Sequence, residues 1–220
     1  MRNLQPLFLD LVGREVLLVG GGRVAAGKLR QLLTAGACVR VVSPLVLAEI
    51  ESIARRFDRD AAGARMVHVV RRAFQESDVD GVWLVVAAAT PDVNRQVAGA
   101  AERRRVFVNA VDDPDNATAY LSGVVRRDDV TIAISTSGDA PALTALVREA
   151  LDAVLPADIR DWVATARRAR VGWRRSGVPM EARKPLLLRA LNHLYDVDAL
   201  DSLAASGAVP WLSGPEDSWL

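Results

Sequence analysis

Short apolar runs alternate with amphipathic stretches through the first half of the chain. The runs that predict strands lie at 15–19, 38–42, 66–70, 82–87 and 106–109. Apolar residues at helical spacing mark 22–34, 45–57 and 92–105. Strands that alternate with helices are typical of right-handed βαβ units, in which helices cover both faces of a parallel sheet. The pattern therefore predicts an α/β fold with a parallel sheet over residues 1–113.

The pattern changes after residue 113. Two β-rich runs, 118–125 and 130–135, flank the polar segment 126–129, and this order predicts an antiparallel hairpin. A ribbon outside the main sheet has exposed edges, and pairing with a second subunit is one way to cover them. We therefore predict a homodimer built through residues 114–150.

The last third of the chain has a helical pattern. A helix is expected from Pro141 to about Val154, and the chain from Pro156 onward is helical in pattern. Glycine and proline predict breaks at Gly172, 177–179 and Gly207. The sequence thus predicts three parts, namely a sheet domain (1–113), a small β/α dimerisation unit (114–150) and a helical tail (151–220).

A glycine motif joins the first predicted strand to the first predicted helix. It reads Gly20-x-Gly22-x-x-Ala25. Gly20 permits a tight turn, Gly22 lets the backbone approach a pyrophosphate, and Ala25 lets the helix pack closely on the strand. The backbone N–H groups of the first helical turn, at Arg23 and Val24, then face the phosphates. The motif predicts a dinucleotide-binding, Rossmann-like domain, and the alternative is a glycine turn that serves only strand–helix packing.

The ends of the second and fourth predicted strands are the next candidate ligand contacts. Ser43 and Pro44 stand where such folds usually carry an acidic residue that binds the ribose hydroxyls, so the motif does not separate NAD from NADP. Arg23 and Arg40 can favour a 2′-phosphate, or they are simply solvated. After the fourth strand, alanines and Thr90 allow the chain to pass close to the ribose and nicotinamide, whereas the alternative is that Thr90 caps the next helix.

Two adjacent carboxylates follow the fifth predicted strand. Asp112 and Asp113 belong to the segment 108–114, and ligands of doubly wound folds bind at this carboxyl edge of the sheet. A carboxylate in that place is a candidate for proton transfer. The alternative is an Asp-Asp-Pro turn that only ends the strand.

A hydroxyl-rich loop precedes the helix predicted from Pro141. It contains Ser135, Thr136, Ser137 and Gly138, and its backbone N–H groups can bind an anion. The alternative is a helix start with Ser137 or Asp139 as the cap.

The tail carries a local excess of positive charge. Residues 160–189 include nine basic side chains against two acidic ones, although the whole chain has a net charge of only +1. This excess indicates an anionic ligand, and the alternative is a solvated helix face. Bulk charge is the single argument for nucleic acid, since the chain has no recognised nucleic-acid motif, so we expect no such partner.

Composition narrows the remaining possibilities. Hydrophobic residues make up 50% of the chain, which is ample for a core, and the apolar runs are too short to span a membrane. Cys38 is the single cysteine and fits the core pattern, so no intrachain disulfide is expected and the cytoplasm is the default compartment. One cysteine and two histidines do not make a conventional Cys/His metal site, so no protein-bound metal is expected.

Four segments together resemble one enzyme family. The segment 9–25 with Lys28, and the segments 88–94, 108–114 and 132–142, are similar to precorrin-2 dehydrogenase/sirohydrochlorin ferrochelatase, the N-terminal dehydrogenase–chelatase part of siroheme synthase. They stand in the family's order and spacing over about residues 5–160. The loop at Thr136 departs from the usual family pattern, in which some members carry a regulatory phosphoserine at that position.

The resemblance implies oxidation of precorrin-2 to sirohydrochlorin with NAD as the hydride acceptor, in a homodimer. It also implies Fe²⁺ as the substrate of a second activity, insertion into sirohydrochlorin. Asp112 would be the acid/base group, while Asp113 and the loop 135–138 would bind substrate. Precorrin-2 carries eight carboxylates, which would give the basic tail a purpose. The alternative function is a non-catalytic NAD(H)-sensing or tetrapyrrole-binding module.

Overall fold

Five parallel strands form the main sheet of the computed structural model, which describes residues 4–59, 63, 65–121, 123–138 and 140–195. The strands are β1 (Glu15–Val19), β2 (Cys38–Val42), β3 (Val67–Val70), β4 (Leu84–Ala87) and β5 (Phe107–Ala110), in the order β3-β2-β1-β4-β5. Helices α1 (Arg23–Thr34), α2 (Ala48–Arg56) and α3 (Pro91–Arg104) connect them. The predicted α/β, Rossmann-like fold is therefore confirmed, with each predicted strand present.

Alternate residues of β1 build two buried clusters, one on each face of the sheet. Leu18 packs with Leu29 of α1 and Ile50 of α2, whereas Leu17 packs with Val97 of α3. Burying a side chain of this size contributes about 1.5–3 kcal/mol. The apolar runs are continuous because both faces of a parallel sheet are covered.

The second half of the chain contains a hairpin and three helices. The hairpin strands are β6 (Gly123–Arg127) and β7 (Val130–Ile134), and the helices are α4 (Pro141–Val154), α5 (Ile159–Arg175) and α6 (Met180–Asn192). The chain divides into two compact units, one of residues 1–123 with 134–146 and the other of residues 124–133 with the chain from 147 onward. The three-part division expected from the sequence stays a prediction. No helix within the described ranges is long and apolar enough to cross a membrane.

The predicted start of the hairpin was wrong. Residues 118–121 are not part of β6, because the backbone N–H groups of Thr118 and Ala119 both donate to the Val108 carbonyl of β5, each at 2.9 Å. The turn is also shorter than predicted, since only residues 128 and 129 separate the two strands. These four residues therefore follow the edge of the main sheet before the ribbon begins.

The predicted helix break at Gly172 was also wrong. Helix α5 continues through Gly172 to Arg175 and ends where Val178 N donates to Trp173 O. A single glycine costs about 1 kcal/mol in a helix and does not by itself end one. The predicted break at 177–179 is confirmed, while Gly207 lies outside the described residues.

Candidate active site

The glycine loop leaves β1 between the ends of the two neighbouring strands. Gly20 has a φ of +133°, and a Cβ there would lie 2.2 Å from the carbonyl oxygen of Ala88. A Cβ on Gly21 would lie 1.8 Å from the carbonyl oxygen of Leu45. Neither position has room for a side chain, so both glycines are required for packing at the carboxyl edge of the sheet.

Gly22 differs from Gly20 and Gly21 because it faces open space. A Cβ on Gly22 would meet no atom within 4 Å. Gly22 precedes α1, no side chain caps that helix, and its first turn has no acidic residue. Arg23 and Val24 are exposed, whereas Ala25 is fully buried against the sheet. The positive end of the α1 dipole is thus open to an anion, and these residues fit the pyrophosphate of a dinucleotide.

The end of β2 supports the glycine loop from one side. Ser43 is buried, and its hydroxyl donates to the Leu45 carbonyl at 2.7 Å, which shapes the turn that packs on Gly21. Pro44 in this turn is exposed. The structure therefore gives the Ser43 hydroxyl a partner within the protein, and a contact from Ser43 or Pro44 to a ribose stays a prediction.

Arg40 makes hydrogen bonds within the protein through its guanidinium. Its Nε donates to Glu15 at 2.8 Å, and its guanidinium also donates to the Asp78 carbonyl oxygen at 3.0 Å. Of the two arginines considered for a 2′-phosphate, Arg23 is the one that the structure leaves exposed at the glycine loop.

The end of β4 supports the glycine loop from the other side. The buried side chain of Asn94 accepts a hydrogen bond from the Ala89 N–H at 3.0 Å and so fixes the segment that packs on Gly20. Thr90 precedes α3, but its hydroxyl makes no cap hydrogen bond. Thr90 is thus the N-cap residue of α3, as the alternative interpretation predicted, but it caps through its backbone. Its exposed hydroxyl lies at the edge of the sheet where a ligand is expected.

The two carboxylates after β5 have different surroundings. Asp113 accepts hydrogen bonds from the Asn116 amide at 3.0 and 2.9 Å, so it holds the turn that follows the strand. Asp112 is exposed and has a φ of +56°. Most non-glycine residues lose about 1–2 kcal/mol in that conformation, although aspartate tolerates it better than most. The turn interpretation thus describes Asp113, while Asp112 is the carboxylate open for chemistry.

The hydroxyl-rich loop lies against this turn. A Cβ on Gly138, which has a φ of +88°, would be 3.5 Å from Pro114 Cβ and 3.5 Å from the Tyr120 ring. The Tyr120 hydroxyl in turn donates to the Pro114 carbonyl at 3.2 Å. Two segments that lie more than twenty residues apart in the sequence therefore meet beside Asp112.

Internal hydrogen bonds order the hydroxyls of this loop. The Thr136 hydroxyl donates to the Ala140 carbonyl at 3.1 Å and lies 2.8 Å from the Thr144 hydroxyl, while Ser135 Oγ accepts the Ser137 N–H at 3.1 Å. Ser137 does not cap α4, because the first backbone bond of that helix runs from Thr144 N to Ala140 O. Asp139, the other candidate cap, lies outside the described residues.

Lys28 is a charged residue near this site that sequence reasoning did not assign to it. Burial lowers the pKa of the Lys28 ammonium, and the Asp112 carboxylate partly opposes that effect. This interaction links helix α1 with the turn after β5. The one signal in the sequence was the position of Lys28 on the inward side of a predicted helix, where an apolar residue is the norm.

Some of the basic side chains of the second unit form ion pairs within the protein, and others are available to bind an anion. Arg160 donates to Asp128 at 3.0 and 2.6 Å, and Arg167 lies 3.0 Å from an oxygen of Asp129, so the hairpin turn neutralises both. Trp173 is buried in the core of this unit. The exposed basic side chains that make no ion pair with another described residue include Arg170, Arg174, Arg175 and Lys184. The predicted positive excess is therefore smaller than the sequence count indicated.

Comparisons with known proteins give the same family as the sequence motifs. Residues 7–123 match a family model described as NAD(P)-binding, and residues 127–153 match the central part of sirohaem biosynthesis proteins. Siroheme synthase of Photorhabdus laumondii is 36% identical over 188 residues, which cover 85% of this chain and 38% of that protein. Siroheme synthase of Citrobacter koseri is 40% identical over 152 residues, or 69% of this chain and 32% of that protein.

A solved structure matches over most of both chains. It is SirC, described as a precorrin-2 dehydrogenase, with a TM-score of 0.61 and 25% sequence identity, and it covers 84% of this chain and 88% of that chain. The chain spans about a third of the length of the siroheme synthases that it matches. The family match includes the glycine loop, the Asp112 turn and the start of the hairpin. The chain therefore belongs to the NAD(P)-binding family whose model matches residues 7–123.

Proposed function

We propose that this protein oxidises precorrin-2 to sirohydrochlorin with NAD, as a step of siroheme biosynthesis in the cytoplasm. The observation that carries the proposal is the meeting of the open glycine loop, the Thr90 segment and the Asp112 turn at one edge of the sheet. Ligands of doubly wound folds bind at this edge. The likeness to SirC over most of both chains supports the same reaction.

The nucleotide would be held mainly by backbone groups. When bound, NAD supplies the acceptor for the hydride that leaves the substrate. The free N–H groups that follow Gly22 would bind its pyrophosphate, and the turn that contains Ser43 and Pro44 would lie beside the adenosine ribose. Thr90 would limit the space beside the nicotinamide.

Asp112 would act as the base. The oxidation removes two electrons and two protons from precorrin-2, so a hydride and one proton leave the substrate. The Asp112 carboxylate would accept the proton and return it to water. Asp113 would keep the turn in shape through Asn116, and its predicted contact with substrate would be secondary to that role.

The substrate carboxylates would be bound by cations and by backbone donors. The exposed Arg170, Arg174, Arg175 and Lys184 supply positive charge that complements a polycarboxylate. The backbone N–H group of Gly138 would supply a neutral donor next to the Asp112 turn.

The same proposal includes a homodimer. No described residue of α4 is buried, and Leu143 and Leu146 on it are 50% and 63% exposed. A helix with positive mean hydropathy that buries none of its side chains within one chain is suited to packing against a second copy. Light scattering would then give about twice the 23.7 kDa mass of the chain. A monomer at micromolar concentration would exclude the dimer.

Incubation with precorrin-2 and NAD tests the reaction. We expect the visible bands of sirohydrochlorin to appear together with NADH. If neither product forms but NAD or sirohydrochlorin still binds, the protein is a sensing or binding module. Ferrous insertion stays a prediction of the family resemblance, and adding Fe²⁺ to sirohydrochlorin under anaerobic conditions tests it separately.

A further inference from the structure

Lys28 is an ionisable residue within the otherwise apolar inner surface of α1. Its neighbours on the helix face, Ala25, Leu29 and Leu32, are buried against the sheet, and Lys28 itself is half-buried. A partly buried ammonium loses hydration, so an arrangement of this kind needs acceptors or a negative charge nearby.

Asn109 supplies a buried acceptor on the same face of the sheet. In the register of β4 with β5 it lies beside Val86, which belongs to the cluster that α1 covers. Its Nδ2 donates to the Ala119 carbonyl at 3.0 Å, and the residue is only 7% exposed. Its Oδ1 is buried and has no hydrogen-bond partner in the described part of the chain. A buried acceptor left unpaired is costly, so this oxygen requires a donor.

Asp112 supplies the negative charge. Val111, the residue before it, packs against the same buried cluster as Leu29 of α1. The Asp112 carboxylate interacts electrostatically with the Lys28 ammonium, although it makes no ion pair or hydrogen bond with another described residue. Within the described ranges, the Lys28 ammonium therefore acts on the Asp112 carboxylate, and no hydrogen bond or ion pair fixes its side chain.

We propose that Lys28 is a positioning residue for the Asp112 carboxylate, with the Asn109 amide oxygen as the second acceptor of the same ammonium. An ammonium has three donors, so one can bind the amide oxygen while another orients the carboxylate. This inference rests on the proposed function, because it assigns a role within the same site.

A double-mutant cycle tests the pair without substrate or cofactor. Urea unfolding at neutral pH would be measured for the wild type, Lys28→Met, Asp112→Asn and the double variant. We expect the two substitutions to be coupled by at least about twofold in the unfolding equilibrium constant. Arg30→Met is the matched control, since it removes a cation from the same helix but one that pairs with Glu49 of α2. No coupling for Lys28, or equal coupling for Arg30, would overturn the proposal.

Kinetics tests whether the pair serves the reaction. Lys28→Met should lower kcat for precorrin-2 oxidation about tenfold with an unchanged KM for NAD, because a misplaced base loses rate rather than nucleotide binding. Lys28→Arg should restore most of kcat, and Arg30→Met should keep it. An unchanged kcat in Lys28→Met would refute the positioning role. If the wild type does not oxidise precorrin-2, the proposed function fails, while the unfolding cycle still decides whether Lys28 and Asp112 interact.

Discussion

Replacing Asp112 by Asn removes the proposed base while leaving the fold intact. The side chain is exposed and makes no hydrogen bond with another described residue, so little packing is lost. Asn also tolerates the left-handed conformation at φ +56°, so the turn should keep its shape. We therefore expect kcat for precorrin-2 oxidation to fall at least about 100-fold, the scale of a lost general base. The free energy of unfolding should change by less than about 0.5 kcal/mol.

The neighbouring carboxylate provides the matched control. Asp113→Ala removes both hydrogen bonds from Asn116, at 3.0 and 2.9 Å, and should destabilise the protein by about 1–2 kcal/mol. In the proposed mechanism Asp113 stabilises the turn and does not accept the proton. The Asp113→Ala variant should therefore keep kcat within about tenfold of wild type. Stopped-flow absorbance would follow the reaction, and urea unfolding would give the stabilities. If Asp112→Asn turns over like the wild type, or if Asp113→Ala loses the larger share of kcat, the assignment of the base is wrong.

Three further predictions concern binding and stability. Gly22→Asp should fold normally, since a Cβ at this position meets no atom within 4 Å. Its carboxylate should repel the pyrophosphate, so we expect calorimetry to show no NAD binding. An unchanged affinity for NAD would contradict the placement of the pyrophosphate. Gly21→Ala should destabilise the protein, because the added Cβ would lie 1.8 Å from the Leu45 carbonyl oxygen, and a wild-type unfolding midpoint would count against this packing. Burial alone would raise the pKa of Asp78, but hydrogen bonds from Arg72 and Gln75 and the charges of Arg72 and Arg40 together lower it. Its stabilising effect should be complete above about pH 4 and fade as pH falls through its lowered pKa, and Asp78→Asn should remove that part of the pH dependence in urea unfolding.

The sheet was readable from the sequence because buried parallel strands leave continuous apolar runs. Both ends of β1 and of β2 fall at the predicted residues. The prediction of the first hairpin strand was wrong because residues 118–121 have β-type composition but do not pair within the hairpin. Instead, the N–H groups of Thr118 and Ala119 donate to the carbonyl of Val108, about ten residues earlier. No local pattern distinguishes a strand of a ribbon from a segment that follows a sheet edge.

The candidate site was predictable in its parts but not in its contacts. The motifs pointed to Gly22 and Asp112, and the fold places both at one edge of the sheet. That Asp113 would bind Asn116, and that Thr136 would bind Ala140, depends on turn geometry that spacing does not encode. The proposed role of Lys28 depends on the register of β5 and on the packing of Val111, and only the three-dimensional structure gives these.

The bonds around Val108 also bear on solubility. β5 is an edge strand, and an open edge can recruit a strand of another molecule and start aggregation. Here the Val108 N–H donates to the Thr118 hydroxyl at 2.9 Å, and its carbonyl accepts the N–H groups of Thr118 and Ala119. The chain that leaves the Asp112 turn thus blocks the free side of β5. A substitution such as Thr118→Pro would unblock that edge, and we would expect such a variant to aggregate before it loses its fold.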